Sequence, residues 1–204
     1  MEVPIDEIIE HGIVFNLFGA RPMDNIRGEV RALFSALRAA KVDYVLVGGI
    51  AMLSYVEVRN TQDVNVIINP KQAQKIGWNA TLLDANFGQA SFHGLRVDLL
   101  LTTNPLFAHV ARHERASVTF DGHEIACASR EGMLLLKLYA LPSLYRQGNL
   151  VRAAIYEADI FRLQQGVKID IEPIFAILAK HLAAHDLEEL RRIVQEQRER
   201  RRFS

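Results

Sequence analysis

The sequence is poor in several features that mark special classes of protein. Its 204 residues include a single cysteine, Cys127, so neither a disulfide framework nor a cysteine-based metal cluster can form within the chain. Lysine and arginine together number 24, as do aspartate and glutamate. This balance provides no overall electrostatic attraction to nucleic acid or to a membrane. Half of the residues are hydrophobic, which predicts an ordinary packed core.

The sequence also lacks a segment suited to a membrane. The stretch from Tyr44 to Val56 carries no charge, yet it is too short to span a bilayer and contains Gly-Gly. The first residues, Met1 to Glu7, are acidic and have neither the basic nor the apolar region of a secretion signal. We therefore expect a cytoplasmic protein without membrane contact.

The apolar pattern predicts an α/β fold, in which a small mixed β-sheet with flanking helices is followed by a C-terminal helical region. Short apolar or β-branched runs predict strands at 44–47, 63–68 and 95–101, and Asp121-Gly122 predicts a hairpin between 116–120 and 123–128. Helical patterns occupy 29–40, 71–85, 106–112 and 129–141, and three more follow Pro142. We place a boundary near Pro142, which separates an α/β domain over 1–142 from a helical region over 143–204.

Polar residues stand at the ends of the predicted strands. Gly48-Gly49 follows the first strand and precedes a helix; such a turn lets a phosphate approach helix N–H groups, although a plain tight turn is the alternative. Asp63 and Asn65 are two residues apart on a strand, so they point to one face. If the strand that carries Asp98 is adjacent, three oxygen-bearing side chains meet in the kind of site that Mg²⁺ prefers.

These residues resemble a known pattern. The stretches 47–51, Val-Gly-Gly-Ile-Ala, and 59–65, Arg-Asn-Thr-Gln-Asp-Val-Asn, resemble the polymerase-beta-like nucleotidyltransferase superfamily. The Arg-x-Thr-x-Asp arrangement is similar to the AbiEii-type, toxin-related branch of that superfamily. Asp98, within Arg-Val-Asp-Leu-Leu, matches its third carboxylate, and the segment 129–140 is similar to the lysine-bearing helix of the branch. The resemblance covers residues 29 to 164.

The resemblance implies an activity and its participants. It implies transfer of a nucleoside monophosphate from a nucleoside triphosphate, with Mg²⁺, to a hydroxyl of RNA (tRNA included) or of a protein. For a toxin-related branch it further suggests an antitoxin protein as a partner. By position, Gly48 and Gly49 would bind the phosphates. Asp63 and Asp98 would be catalytic residues and metal ligands, and Asp98 would also be the base for the attacking hydroxyl.

Three further positions are implied by the same resemblance. Lys137 would lie near the triphosphate or support the site. Arg59 and Thr61 would either contact the substrate or shape the loop through capping and ion pairing. The sequence leaves these alternatives open.

The sequence departs from the pattern at two places. Asn65 stands where the superfamily has its second metal carboxylate; an amide oxygen still binds a metal, but the lost negative charge lowers cation affinity. Ile155 and Tyr156 stand where the branch tends to carry Lys-Asp, ahead of Asp159-Ile160. The alternative function is therefore a catalytically eroded protein that binds a nucleotide or a partner.

The basic stretch from Arg191 to Arg202 has two interpretations. Cations are favourable at the C-terminal end of a solvated helix, which is the simpler one. The other is a contact with RNA phosphates.

Overall fold

The structure, a computed structural model, describes residues 23–56, 63–75, 80–120 and 122–200. These residues form two compact units, the first ending at Ser129 and the second beginning at Arg130. The first unit is α/β and the second is helical. Arg59 and Thr61 lie outside the described residues. None of the helices described has the length and apolar character needed to cross a bilayer.

A seven-stranded mixed sheet forms the centre of the α/β unit. In chain order its strands are β1 (Tyr44–Val47), β2 (Val64–Ile68), β3 (Thr81–Leu82), β4 (Phe87–Phe92), β5 (Leu95–Leu101), β6 (Arg115–Phe120) and β7 (His123–Ala128). Their order in the sheet is β3-β4-β5-β2-β1-β7-β6. Strand β2 pairs antiparallel with β1 and parallel with β5, and β1 pairs parallel with β7. The predicted mixed sheet is confirmed.

The helices described in this unit are α1 (Met23–Ala39), α2 (Gly48–Met52), α3 (Pro70–Lys75) and α4 (Pro105–His113). Helix α1 buries the apolar stripe that its spacing predicts, formed by Val30, Leu33, Phe34 and Leu37. The ring of Phe34 stacks on Tyr44 of β1, with 6.1 Å between centroids, and this contact joins the helix to the sheet.

The helix predicted over 71–85 is wrong in its second half. Helix α3 ends at Lys75, and strand β3 begins at Thr81. The Asp84 carboxylate accepts hydrogen bonds from the backbone N–H groups of Asn86 at 2.6 Å and Phe87 at 2.9 Å. This side-chain turn competes with helix formation and leads directly into β4, a strand that the sequence pattern did not predict.

A tight turn then fixes the register of the strand that carries Asp98. His93 and Gly94 both have positive φ, 49° and 85°, as a two-residue turn of type I′ requires. Phe92 pairs with Leu95 across this turn, and the register continues to Gln89 opposite Asp98. The turn therefore decides which residue of β4 lies beside Asp98.

The helical unit consists of α5 (Arg130–Arg146), α6 (Leu150–Leu163), α7 (Glu172–Leu178) and α8 (Ala184–Arg200). This confirms the predicted C-terminal helical region. The sequence pattern predicts that helix α5 ends before Pro142, but the helix continues to Arg146, because burial of Leu141, Pro142 and Leu144 offsets the hydrogen bond that proline cannot donate. The boundary between 1–142 and 143–204 falls inside this helix and stays a prediction about domain organisation.

Candidate functional site

Three polar side chains form a row across one face of the sheet. Asn65 of β2 is the register partner of Asp98 of β5, which in turn is the partner of Gln89 of β4. Register partners point to the same face, with Cα atoms about 5 Å apart. We define Gln89, Asp98 and Asn65 as the polar row; all three are half-buried. The strands that carry Asp98 and Asn65 are therefore adjacent, which is the condition for a shared site.

The alternation of β5 explains why the row is open on this face. Leu95, Val97 and Leu99 are at most 5% exposed and point to the opposite face, where they pack into the core. Arg96 and Asp98 alternate with them and reach the other face. The core thus holds the strand in place and leaves its polar side chains accessible.

Gly48 closes the end of the polar row. Its φ is +74°, and a Cβ at this position would lie 2.7 Å from Nδ2 and 2.8 Å from Cβ of Asn65. Val47, the residue before it, is the register partner of Asn65. Glycine is therefore needed at position 48 to accommodate Asn65, while Gly49 is buried in α2. Phosphate binding by the two glycines stays a prediction.

Arg96 makes a charged contact with Asp98. Its Nε donates to Oδ1 of Asp98 at 2.8 Å, and its side chain is 62% exposed against 20% for Asp98. This hydrogen bond and the charge of Asp98 raise the pKa of Arg96 above its ordinary value. The sequence reasoning missed Arg96, although its spacing of two residues from Asp98 on a strand was sufficient to place both on one face.

Asp63 lies beside the same arginine. It immediately precedes β2, whose first register pair is Val64 with Val97. Extending this parallel register by one residue places Asp63 opposite Arg96, and its charge also contributes to the raised pKa of Arg96. The structure thus places the charges of Asp63 and Asp98 near one guanidinium group, with Asn65 beside Asp98.

The donor set can be tested against a divalent cation. Two carboxylates and one amide oxygen match the hard-oxygen preference of Mg²⁺, whose remaining positions water and phosphate normally fill. Among the described residues, no group of three or more histidine, cysteine, aspartate or glutamate side chains is placed to hold a metal ion. The third donor here is the amide oxygen of Asn65. The three residues therefore supply the oxygen ligands that Mg²⁺ prefers, with one negative charge fewer than three carboxylates would have.

Lys137 belongs to the helical unit, where its ammonium group is buried. Nζ lies 2.9 Å from Oδ2 of Asp159, and the two side chains are 5% and 1% exposed. Nζ also lies 3.7 Å from the centroid of the Tyr156 ring, a cation–π contact. Tyr156, one of the two departures from the family pattern, therefore covers the ion pair. The predicted contact between Lys137 and a triphosphate stays a prediction.

Comparison with solved structures shows a nucleotidyltransferase-like fold. The chain is similar to an antigenic nucleotidyltransferase-like protein from Paracoccidioides brasiliensis, with a TM-score of 0.52 and 15% identity over 82% of this chain and 92% of that one. It is also similar to ANT(2")-Ia in complex with adenylyl-2"-tobramycin, with a TM-score of 0.51 and 10% identity over 85% and 98% of the two chains. No protein-family model and no curated protein matches the sequence. At these identities the likeness defines the fold, and it does not bear on the toxin-related branch.

Proposed function

We propose that this protein transfers a nucleoside monophosphate from a nucleoside triphosphate to an acceptor hydroxyl. The observation that supports the proposal is the polar row, which brings Asn65 and Asp98 together next to the Gly48 turn within a nucleotidyltransferase-like fold. Asp63 extends this cluster at the start of β2.

Each proposed role follows from the chemistry of the side chain. The acceptor oxygen forms a bond to the α-phosphorus, the bond from the α-phosphorus to the bridging oxygen breaks, and pyrophosphate leaves. Asp98 accepts the proton of the acceptor hydroxyl, and the backbone of Gly48 and Gly49 binds the phosphates. Asp63, Asn65 and Asp98 would hold Mg²⁺, which when bound supplies charge neutralisation for the triphosphate. Lys137 supports the helical unit through Asp159.

The acceptor is proposed from two sources. The resemblance to the toxin-related branch supports a hydroxyl of RNA, including tRNA, or of a protein, and suggests an antitoxin protein as a partner. The adenylylated tobramycin bound to ANT(2")-Ia adds a small-molecule hydroxyl as a third class to be tested.

The test is transfer of label from each α-labelled nucleoside triphosphate in the presence of MgCl₂. Total RNA, a protein lysate and an aminoglycoside serve as separate acceptors, and released pyrophosphate is measured in parallel. We expect Asp98→Asn and Asp63→Asn to lower transfer at least about a hundredfold. Each substitution removes a proposed metal ligand, and Asp98→Asn also removes the proposed base.

A matched control is available in the same unit. Asp43→Asn likewise removes an aspartate from an ion pair with an arginine, Arg115, at 2.9 Å, and it should not lower pyrophosphate release or transfer to an aminoglycoside, because every proposed metal ligand stays in place. Absence of transfer and of pyrophosphate release with every nucleotide and acceptor would refute the proposed activity.

A second function is favoured by Asn65 and Arg96. The amide at position 65 and the guanidinium on Asp98 both lower the negative charge available to a metal, which suits a protein that binds a nucleotide or a partner without catalysis. Nucleotide binding of equal affinity in MgCl₂ and in EDTA, without pyrophosphate release, would support this alternative.

A further inference from the structure

The carboxylate at the centre of the polar row already has a cation. Arg96 and Asp98 are two residues apart on β5, and the guanidinium donates to Asp98 at 2.8 Å from the same face of the sheet. The register of β2 and β5 places Asp63 opposite Arg96. The arginine therefore contacts or faces both carboxylates that the proposed function assigns to a metal.

A guanidinium group and a divalent cation compete for such oxygens. The hydrogen bond from Arg96 occupies one acceptor position of Asp98 Oδ1, and the positive charge of the arginine repels an incoming metal ion. Asn65 provides no charge to offset this repulsion. Two carboxylates and one arginine leave the cluster with a single net negative charge.

We propose that Arg96 is an internal counter-cation that lowers the divalent-metal affinity of this site, since its positive charge and its hydrogen bond to Asp98 both oppose metal binding. The inference rests on the proposed function for the identity of the metal ligands. The side chain of Arg96 is 62% exposed, so it has room to move away from Asp98. Nucleotide phosphates favour that movement because they attract both the metal and the displaced arginine. The free protein therefore binds the metal alone weakly.

The test is calorimetric titration of the full chain with MnCl₂ and with MgCl₂. Arg96→Gln should lower the dissociation constant about tenfold, because it removes one positive charge and the competing hydrogen bond. Arg96→Lys keeps the charge and should stay within about threefold of wild type, because the ammonium still competes for the Asp98 oxygens. Thermal melts of each variant establish that it is folded.

Arg115→Gln is the matched control. Arg115 is also a strand arginine in an exposed ion pair, with Asp43 at 2.9 Å, and its replacement should leave metal affinity unchanged. The inference is overturned if folded Arg96→Gln binds neither metal more tightly than wild type, if neither protein binds metal, or if Arg115→Gln gains as much.

The outcomes separate this inference from the proposed function. A gain of metal affinity in Arg96→Gln, with no nucleotidyl transfer by any variant, supports the counter-cation and refutes the activity. Transfer by the wild-type protein, with no gain in Arg96→Gln, supports the activity and overturns the counter-cation.

Discussion

At the scale of single residues, Gly48 and Asn65 constrain each other. Gly48→Ala would place a Cβ 2.7 Å from the Asn65 amide on a backbone with a φ of +74°. We expect it to lower the free energy of unfolding by about 2–3 kcal/mol, from left-handed strain and from overpacking. Urea denaturation would measure the change.

Gly122→Ala separates the two causes. Gly122 has the same φ, +74°, but a Cβ there would meet no atom within 4 Å. It should therefore cost only the backbone strain, about 1 kcal/mol. Equal losses for the two variants would mean that the contact between positions 48 and 65 does not matter.

Position 65 is also where a single charge distinguishes this chain from the family it resembles. Asn65→Asp would add a third carboxylate to the site, directly opposite Asp98. We therefore expect the metal-free protein to lose about 1 kcal/mol of stability and to bind Mg²⁺ more tightly. Thermal melts with and without MgCl₂, together with calorimetric titration, measure both effects.

Gln89→Glu is the control for that substitution. It adds the same charge on the other side of Asp98, at a position assigned no metal ligand. If both variants gain equal Mg²⁺ affinity, only the local charge matters. If Asn65→Asp gains none, position 65 is not in a metal site.

Part of this site could be predicted from single residues. A charge within an apolar strand requires a partner, and the same-face rule finds Arg96 two residues before Asp98. The contact between Gly48 and Asn65 could not be found in this way, because it depends on the register of β1 against β2. That register is set by the packing of both strands and not by the two residues themselves.

At the scale of elements, the Lys137–Asp159 ion pair joins α5 to α6 inside the helical unit. Lys137→Met would remove the buried cation that lies against the Asp159 carboxylate, and we expect the free energy of unfolding to fall by about 3–5 kcal/mol. Replacing both residues, Lys137→Met with Asp159→Leu, should recover most of that loss, because neither buried charge remains. Chemical denaturation of the single and double variants tests this. A double variant as unstable as the single one would contradict it.

The strands were predictable where one signal dominated. The apolar run of β1 and the alternation of β5 gave their observed bounds, Tyr44–Val47 and Leu95–Leu101, because burial alone determines such segments. Strand β4 was missed because Phe-Gly-Gln-Ala-Ser-Phe has no β-branched residue. This segment forms a strand because it pairs with β5 across the His93-Gly94 turn, a contact that its own residue types do not signal.

At the scale of the whole molecule, the net charge is zero, but positive and negative side chains are distributed unevenly over the surface. In α8, Arg191 donates to both carboxylate oxygens of Glu172, at 2.8 and 3.0 Å, and Arg192 pairs with Glu189 and Glu196. Their carboxylate partners largely neutralise these two arginines, whereas Arg201 and Arg202 of the basic stretch lie outside the described residues. Deleting the chain after Arg191 would also remove the buried side chains of Ile193 and Val194, so truncation would test stability as much as RNA contact.

The α/β unit contains a cleft of about 320 Å³ with a different charge balance. Four lysine or arginine side chains line it against two carboxylates; they are Arg31, Arg38, Lys41 and Arg115, with Asp43 and Glu124. An excess of positive charge of this kind attracts phosphates, whereas paired arginines on α8 release few counterions on binding. If RNA is the acceptor, the affinity for its phosphate backbone should therefore depend on this cleft more than on α8.

The comparison of two double variants decides where RNA binds. Arg38→Gln with Lys41→Gln should weaken binding of a single-stranded RNA and reduce the slope of log affinity against log salt by about 1.4, the value for two lost phosphate contacts. Arg191→Gln with Arg192→Gln should change the slope little, because both arginines already bind carboxylates. Fluorescence anisotropy at several salt concentrations measures both slopes.

A larger loss of RNA affinity in the α8 variant would place the RNA contact on that helix despite its ion pairs. If wild-type protein shows no salt-dependent RNA binding, RNA is excluded as the acceptor, and the proposed transfer would have to use a hydroxyl of a protein or of a small molecule.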